Sequence, residues 1–368
     1  MAYTATRTAD QAIGARARPR RRWLRYTLAA LAGLLGLGLV ILLYTAYVYQ
    51  PPEDRTHIPA YLAWMQSRHL DHYVAAGNFR LHYLHVGSGE PVVLLPGGGA
   101  WIYDFRSIVT ALAPHYSVYA IDPPGDGYTT PLAKNPDYNR IYTLASIDHS
   151  LLAFMNTLHL RKAAFVGNSW GGGYALYFAE RHPARVSRLV SLDGEGLKLD
   201  DTGGQLSWQL AGWPVLGEVE LKLTATPGFV RQELEGLLIH RAVTADMVRE
   251  FYIPYTFHSN LTSQWVLTRN LDWAVTERLL PALKTPTLII WGKQDTLMPA
   301  HSFVPRYHHV LPRARMVVID HAGHLVHEDQ PARVDRLLLR FLSWSGSHQS
   351  HDAATVNTSH HADGTRMW

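Results

Sequence analysis

The chain predicts a mixed α/β fold: a mostly parallel eight-stranded sheet with helices on both faces, an inserted helical lid and an N-terminal transmembrane helix. Three observations predict it. Six short apolar runs after residue 90 alternate with helix-like stretches, the pattern of strands buried on both faces. The interval 194–281 breaks that rhythm and holds nine aromatic residues, Trp213, Phe229, Phe251 and Tyr255 among them. Finally, Tyr26–Tyr49 contains no charged residue.

That last run is long enough to cross a bilayer, since about 20 apolar helical residues span roughly 30 Å. Tyr44, Tyr47 and Tyr49 crowd one end, where amphipathic rings favour the membrane interface. Residues 1–25 carry seven arginines and one acid, Asp10. This basic tail predicts a cytoplasmic N-terminus and an extracytoplasmic C-terminal body, a single-pass membrane protein. A cleaved signal peptide is the rival, but its apolar region is shorter and ends in small residues, whereas Tyr and Val follow here. A buried core helix is the other rival, and the flanking charges oppose it.

Residues 50–70 open with Pro51-Pro52 and read as a linker. The body is expected over 71–344. HYVAAG and FRLHYLHVG form a hairpin pattern around Gly77-Asn78. The runs at 91–97, 116–122, 163–169, 187–193, 285–292 and 314–320 supply the other six strands. Gly194 to about Pro281 is the lid, and 345–368, rich in Ser, Thr and His, reads as a disordered tail.

Composition narrows the chemistry. The formal charge is +4, but the first 25 residues contribute +6, so the rest of the chain is net −2. A nucleic-acid-binding surface on the body therefore has no support. There is no cysteine, which excludes disulfides, thiolate metal sites and a thiol nucleophile. His321, His324 and His327 are spaced by three, not by the four of helical zinc pairs, and no metal is expected.

Gly167-Asn168-Ser169-Trp170-Gly171 fits G-x-S-x-G at the end of an apolar strand and before a helix pattern. A serine on such a tight turn projects its Oγ above the sheet edge. Serine needs a base, and the base needs an orienting carboxylate. Asp295 follows the strand TLIIW, and His324 follows MVVID, so acid and imidazole arrive on the same edge in the order Ser, Asp, His. Asp193, which ends LVSLD, is the rival acid. Gly323 is read as giving His324 an exposed turn, with His321 a structural neighbour and His308 and His309 on the surface. The oxyanion of acyl transfer needs two N–H donors. Trp170 and Gly98 are expected to supply them, with Gly99 as the alternative to Gly98.

LLPGGGAW, DPPGDGYT, GNSWGG, WGKQDTLMP and AGHLVHEDQP together resemble the α/β-hydrolase superfamily over roughly Val74 to Trp344. Among its lid-bearing members the chain is similar to proline iminopeptidases and carbon–carbon bond hydrolases. Dehalogenases and epoxide hydrolases of that group use an aspartate nucleophile, so Ser169 argues against both. Where the superfamily usually has His-Gly, this chain has Pro96-Gly97. Asp122 and Asp126 of DPPGDG are read as shaping a loop. The resemblance implies a serine hydrolase, carboxylesterase-like, that cleaves an ester-like bond of a small apolar substrate through an acyl-enzyme without a cofactor. Carbon–carbon or amide hydrolysis, acyl transfer to an alcohol, and a non-catalytic binding protein are the alternatives.

Overall fold

The computed structural model describes residues 19–198, 212–343 and 366–367, which form two compact units, 1–49 and 50–368. In the first unit a single helix runs over Pro19–Tyr47. Its portion Trp23–Tyr47 has 25 residues with a mean hydropathy of 2.3, long and apolar enough to cross a membrane. The hydroxyls of Thr27 and Thr45 donate back to the carbonyls of Leu24 and Ile41, both at 2.9 Å. Neither therefore needs water in an apolar medium. Most of the basic tail, residues 1–18, lies outside the described residues.

The second unit is built on one sheet. Its strands are β1 (Asp71–Ala76), β2 (Phe79–Val86), β3 (Pro91–Leu95), β4 (Ser117–Ile121), β5 (Thr130–Pro131), β6 (Ala163–Asn168), β7 (Val186–Leu192), β8 (Thr287–Gly292), β9 (Arg315–Ile319) and β10 (Arg366–Met367). The order is β1-β2-β4-β3-β6-β7-β8-β9-β10, with β5 beside β2. From β4 through β9 all neighbours are parallel. The hairpin β1–β2 is antiparallel, with Ala76 opposite Phe79. All eight expected strands are present, and the two additions are two-residue pairings too short to leave a pattern in sequence. The tail 345–368 otherwise lies outside the described residues.

Alternation along the buried strands feeds two cores. Val93, Leu95 and Phe165 face one layer, where helices Leu144–Thr157 and Trp170–Arg181 pack. Val92, Leu94 and Val166 face the other, with Arg106–Leu112 and Pro331–Leu342. Each strand is thus apolar on both faces, which is why the runs lack polar alternation. Between β7 and β8 the described residues hold no strand but five α-helices, Leu216–Thr224, Pro227–Leu237, Ala245–Tyr255, His258–Asn270 and Trp273–Leu279, and a 3-10 turn at Leu280–Ala282. Of the expected lid, residues 199–211 fall outside the description.

The stretch 50–70 is not a bare linker. It contains helix Ala60–Ser67, whose Leu62 and Met65 join the second core. The Tyr61 N–H donates to Glu250 Oε1 at 3.0 Å, which ties this helix to the insert. Eight residues make barely two turns, too few for a periodic signal.

Fully buried His82 on β2 joins the hairpin to the loop after β4. Its Nδ1 is 2.6 Å from Asp122 Oδ2, and its Nε2 is 2.7 Å from Asp71 Oδ1. Burial pulls its pKa down, but the two carboxylates outweigh burial and raise it from 6.5 to about 9. Stability from this ion triad is therefore fully present below pH 6.5 and lost as pH rises through about 9. The loss amounts to at most about 3 kcal/mol. Urea unfolding between pH 6 and pH 10 should show this decline, and His82→Gln should flatten it. A wild-type stability that does not fall over that interval would contradict the assignment.

Candidate active site

The candidates Gly98, Ser169, Asp193, Asp295 and His324 lie on loops leaving the C-terminal ends of parallel strands. The Ser169 turn between β6 and the helix Trp170–Arg181 holds φ 50° and ψ −123°, a conformation that side chains avoid. The turn is locked by the Ser169 N–H donating to Leu192 O at 3.1 Å and by the Glu195 N–H donating to Ser169 O at 2.9 Å. A methyl group at Gly171 would collide with the carbonyl of Leu95, so only glycine permits this close approach.

Asp295 follows β8 and His324 follows β9. His324 Nδ1 sits 2.8 Å from Asp295 Oδ2, while Asp295 Oδ1 accepts from the N–H groups of Leu297 and Met298 at 2.9 and 2.8 Å. The imidazole is only 3 % exposed, and its Nε2 is buried without a hydrogen-bond partner. No hydrogen bond joins it to Ser169, although both residues line the same cavity. The expected exposed turn is corrected here: His321 is the exposed residue, with φ 57°, and His324 is buried. His308 and His309 are exposed as expected.

Asp193 lies beside this pair without taking part in it. Its Oδ1 accepts from the Gly292 N–H at 2.6 Å. Burial, reinforced by the neighbouring Asp295 carboxylate, pushes its pKa well above the usual carboxylate range. Of the two acids, Asp295 is the one in hydrogen-bond contact with the imidazole.

The turn after β3 distinguishes its two glycines. The Gly99 N–H donates to Asp126 Oδ1 at 2.7 Å and so is already engaged. The Gly98 N–H makes no such bond among the described residues, and a methyl at Gly98 would strike the Trp170 indole. The Trp170 N–H is the first of its helix and has no intrahelical acceptor. Asp122 and Asp126 shape their loop as expected. Asp122 accepts from the Ile102 and Tyr128 N–H groups, each at 2.8 Å, and Asp126 accepts from Gln264 Nε2 of the insert at 2.6 Å.

Ser169, Trp170, Gly98 and His324 line one cavity, roofed by insert residues such as Leu221, Phe229, Leu234, Phe251 and Tyr255. The profile of the alpha/beta hydrolase fold family matches residues 90–331. The chain belongs to this family. Among curated proteins it is similar to a cis-3-alkyl-4-alkyloxetan-2-one decarboxylase of Shewanella oneidensis, 27% identical over 74% of this chain and 88% of that protein. It is also similar to a 2-hydroxy-6-oxononadienedioate/2-hydroxy-6-oxononatrienedioate hydrolase of Comamonas testosteroni, 27% identical over 72% and 92%. Among solved structures, a meta-cleavage product hydrolase from Pseudomonas fluorescens superposes with a TM-score of 0.62 at 26% identity, covering 74% of this chain and 97% of that one. A membrane phospholipase A shares the fold with a TM-score of 0.64 at 20% identity, over 86% and 98%.

In this hydrolase-fold chain, sequence reasoning missed the residues that hold the histidine loop. Asp329 accepts from the Ile239, His240 and Arg241 N–H groups of the insert and from the Gly323 N–H, at 2.8–2.9 Å. Asp329→Ala would strand four donors at once, for a loss of about 3 kcal/mol or more. Chemical denaturation should show that loss, and an unchanged midpoint would contradict it. The only advance signal was an acid five residues after His324, which has no distinctive period.

Glu195 was also missed. It follows β7, and burial lifts its carboxyl to about 7 against the lowering influence of His324. Asp104, His327 and Glu328 bring donor atoms within 4.8 Å of one another. Both Glu328 oxygens are already taken, however, by Arg106 at 2.5 and 2.9 Å and by Arg241. The cluster is an ion network with its charge met by two guanidinium groups, and it does not have the chemistry of a metal cage.

Proposed function

We propose that the chain is a membrane-anchored serine hydrolase acting on an ester-like bond. The observation that carries this reading is the imidazole of His324, hydrogen-bonded to Asp295 through Nδ1, with its Nε2 unpartnered, in a residue that lines the same cavity as Ser169. Ser169 Oγ attacks the substrate carbonyl as His324 Nε2 takes its proton. The N–H groups of Gly98 and Trp170 receive the oxyanion. His324 then hands its proton to the departing alkoxide, leaving an acyl-enzyme. Water, deprotonated by the same nitrogen, attacks the acyl carbon, and Ser169 recovers its proton. The Ser169–His324 hydrogen bond forms on substrate binding, as apo sites often tighten only in the complex. Apolar insert side chains over the nucleophile favour a small apolar acyl or alcohol group.

Carbon–carbon bond hydrolysis is the second reading, favoured by the names of the Comamonas and Pseudomonas relatives. The same serine would attack a ketone carbonyl, and a stabilised carbanion would leave in place of an alkoxide. A panel of p-nitrophenyl esters, matching anilides and a 2-hydroxy-6-oxohexa-2,4-dienoate separates the two. Turnover of the esters alone supports the first reading, and preference for the dienoate overturns it.

The span Trp23–Tyr47 and the arginines before it support an uncleaved anchor, with the N-terminus cytoplasmic and the hydrolase unit extracytoplasmic. Retention in the membrane pellet after carbonate extraction, with the body open to protease added from outside, is the expected result. Release into the soluble fraction overturns the anchor.

A further inference from the structure

The cavity at Ser169 has walls of one electrical sign. Besides the imidazole of His324, its only ionisable carboxylate or basic side chains among the described residues are Glu220 and Glu233. They stand on consecutive helices, Leu216–Thr224 and Pro227–Leu237. The basic residues of those helices are matched elsewhere: Lys222 pairs with Glu218 at 3.1 Å, and Arg231 pairs with Glu235 at 3.6 Å. The two acids that face the cavity form no ion pair among the described residues, and Glu220 Oε2 is buried without a hydrogen-bond partner. Residues 199–211, which precede these helices, contain no Lys, Arg or His but include Asp200 and Asp201.

Two more residues of the lining carry unmet polar atoms. Asn168 and His324, 1 % and 3 % exposed, line the cavity, and their Oδ1 and Nε2 are buried without hydrogen-bond partners. Buried polar atoms without partners cost stability unless a ligand or water meets them. Thr224, Gln264, Thr268 and Ser169 add neutral polar groups, and most of the remaining wall is apolar or aromatic, including Phe229, Phe251 and Tyr255. Aromatic faces and carboxylates together attract organic cations. Burial raises the pKa of both glutamates, and each acid that remains ionised lacks a counter-charge.

We propose that this cavity selects a substrate bearing an ammonium group on an apolar chain, held by Glu220 and Glu233, and rejects one bearing a carboxylate there. The substrate's orientation rests on the Ser169 reading, whereas the charge preference does not. The preference would set this chain apart from the Comamonas relative, whose name describes a dicarboxylate.

The test uses the full chain in a neutral detergent, titrated calorimetrically with hexyltrimethylammonium and with hexanoate. The cation should bind about tenfold or more tightly than hexanoate, since like charges placed together cost affinity. In Glu220→Gln/Glu233→Gln the ratio should fall towards one. The cation, and not hexanoate, should slow labelling of Ser169 by a fluorophosphonate. A wild-type ratio near one, a preference for hexanoate, or cation binding that leaves labelling unaffected overturns the proposal. So does a ratio that survives in the double variant. If that variant fails to fold, Glu233→Gln alone and the wild-type ratio still decide. Should Ser169 take no label at all, the nucleophile reading fails, and the binding ratio tests the charge preference by itself.

Discussion

Ser169→Ala is expected to lower kcat for a p-nitrophenyl ester by about 10⁵-fold. Removing the hydroxyl leaves His324 with nothing to activate but water, and the acyl-enzyme route closes. What survives is the weaker catalysis that oxyanion donors provide without a nucleophile. The loss should be one of kcat. The rest of the cavity wall is untouched, so the affinity for a non-reacting ester analogue should hold. Labelling by a fluorophosphonate should vanish in parallel. The melting temperature should stay near that of wild type, because alanine keeps the Cβ and removes only the partly exposed hydroxyl. Retained turnover in the folded variant would end the assignment of Ser169 as nucleophile.

Asp295→Asn should cost about 10³- to 10⁴-fold in kcat. The carboxylate 2.8 Å from His324 Nδ1 holds a proton on that nitrogen and leaves Nε2 free to act as the base. An amide in its place can donate its own N–H to Nδ1, which moves the imidazole proton to Nε2, where it is useless for deprotonating Ser169. The carboxylate also stabilises the imidazolium formed during attack. The matching substitution Asp193→Asn makes the comparison specific. Burial and Asp295 together already push the Asp193 pKa well above the usual range, and its resolved bond goes to the Gly292 N–H rather than to the imidazole. Its loss should affect stability more than kcat. Equal loss of kcat in the two variants, with both folded, would show that the acid role is shared.

Several elements could be read directly because their signals are local. The six buried strands declare themselves as continuous apolar runs, each face being covered by helices. The Ser169 turn needs small residues at fixed offsets, which any reader of the chain can see. Helix Ala60–Ser67 was illegible for the opposite reason. Its two buried side chains, Leu62 and Met65, matter only because the second core lies beneath them. The Asp329 carboxylate likewise serves backbone groups some 90 residues away, on the insert. Nothing in its neighbourhood along the chain announces four donors.

By itself, the amino-acid order determined the α/β architecture, the apolar N-terminal span and the candidates Ser169, Asp295 and His324, because strand periodicity, span length and turn chemistry are set by residues close in the chain. Only the tertiary structure set Asp295, and not Asp193, in hydrogen-bond contact with His324, and engaged the Gly99 N–H with Asp126. It also brought Glu220 and Glu233 to the cavity that Ser169 lines, with no ion pair to either among the described residues. Those outcomes depend on which groups from distant segments come within hydrogen-bonding reach and which are shut away from water, and both are properties of packing in three dimensions.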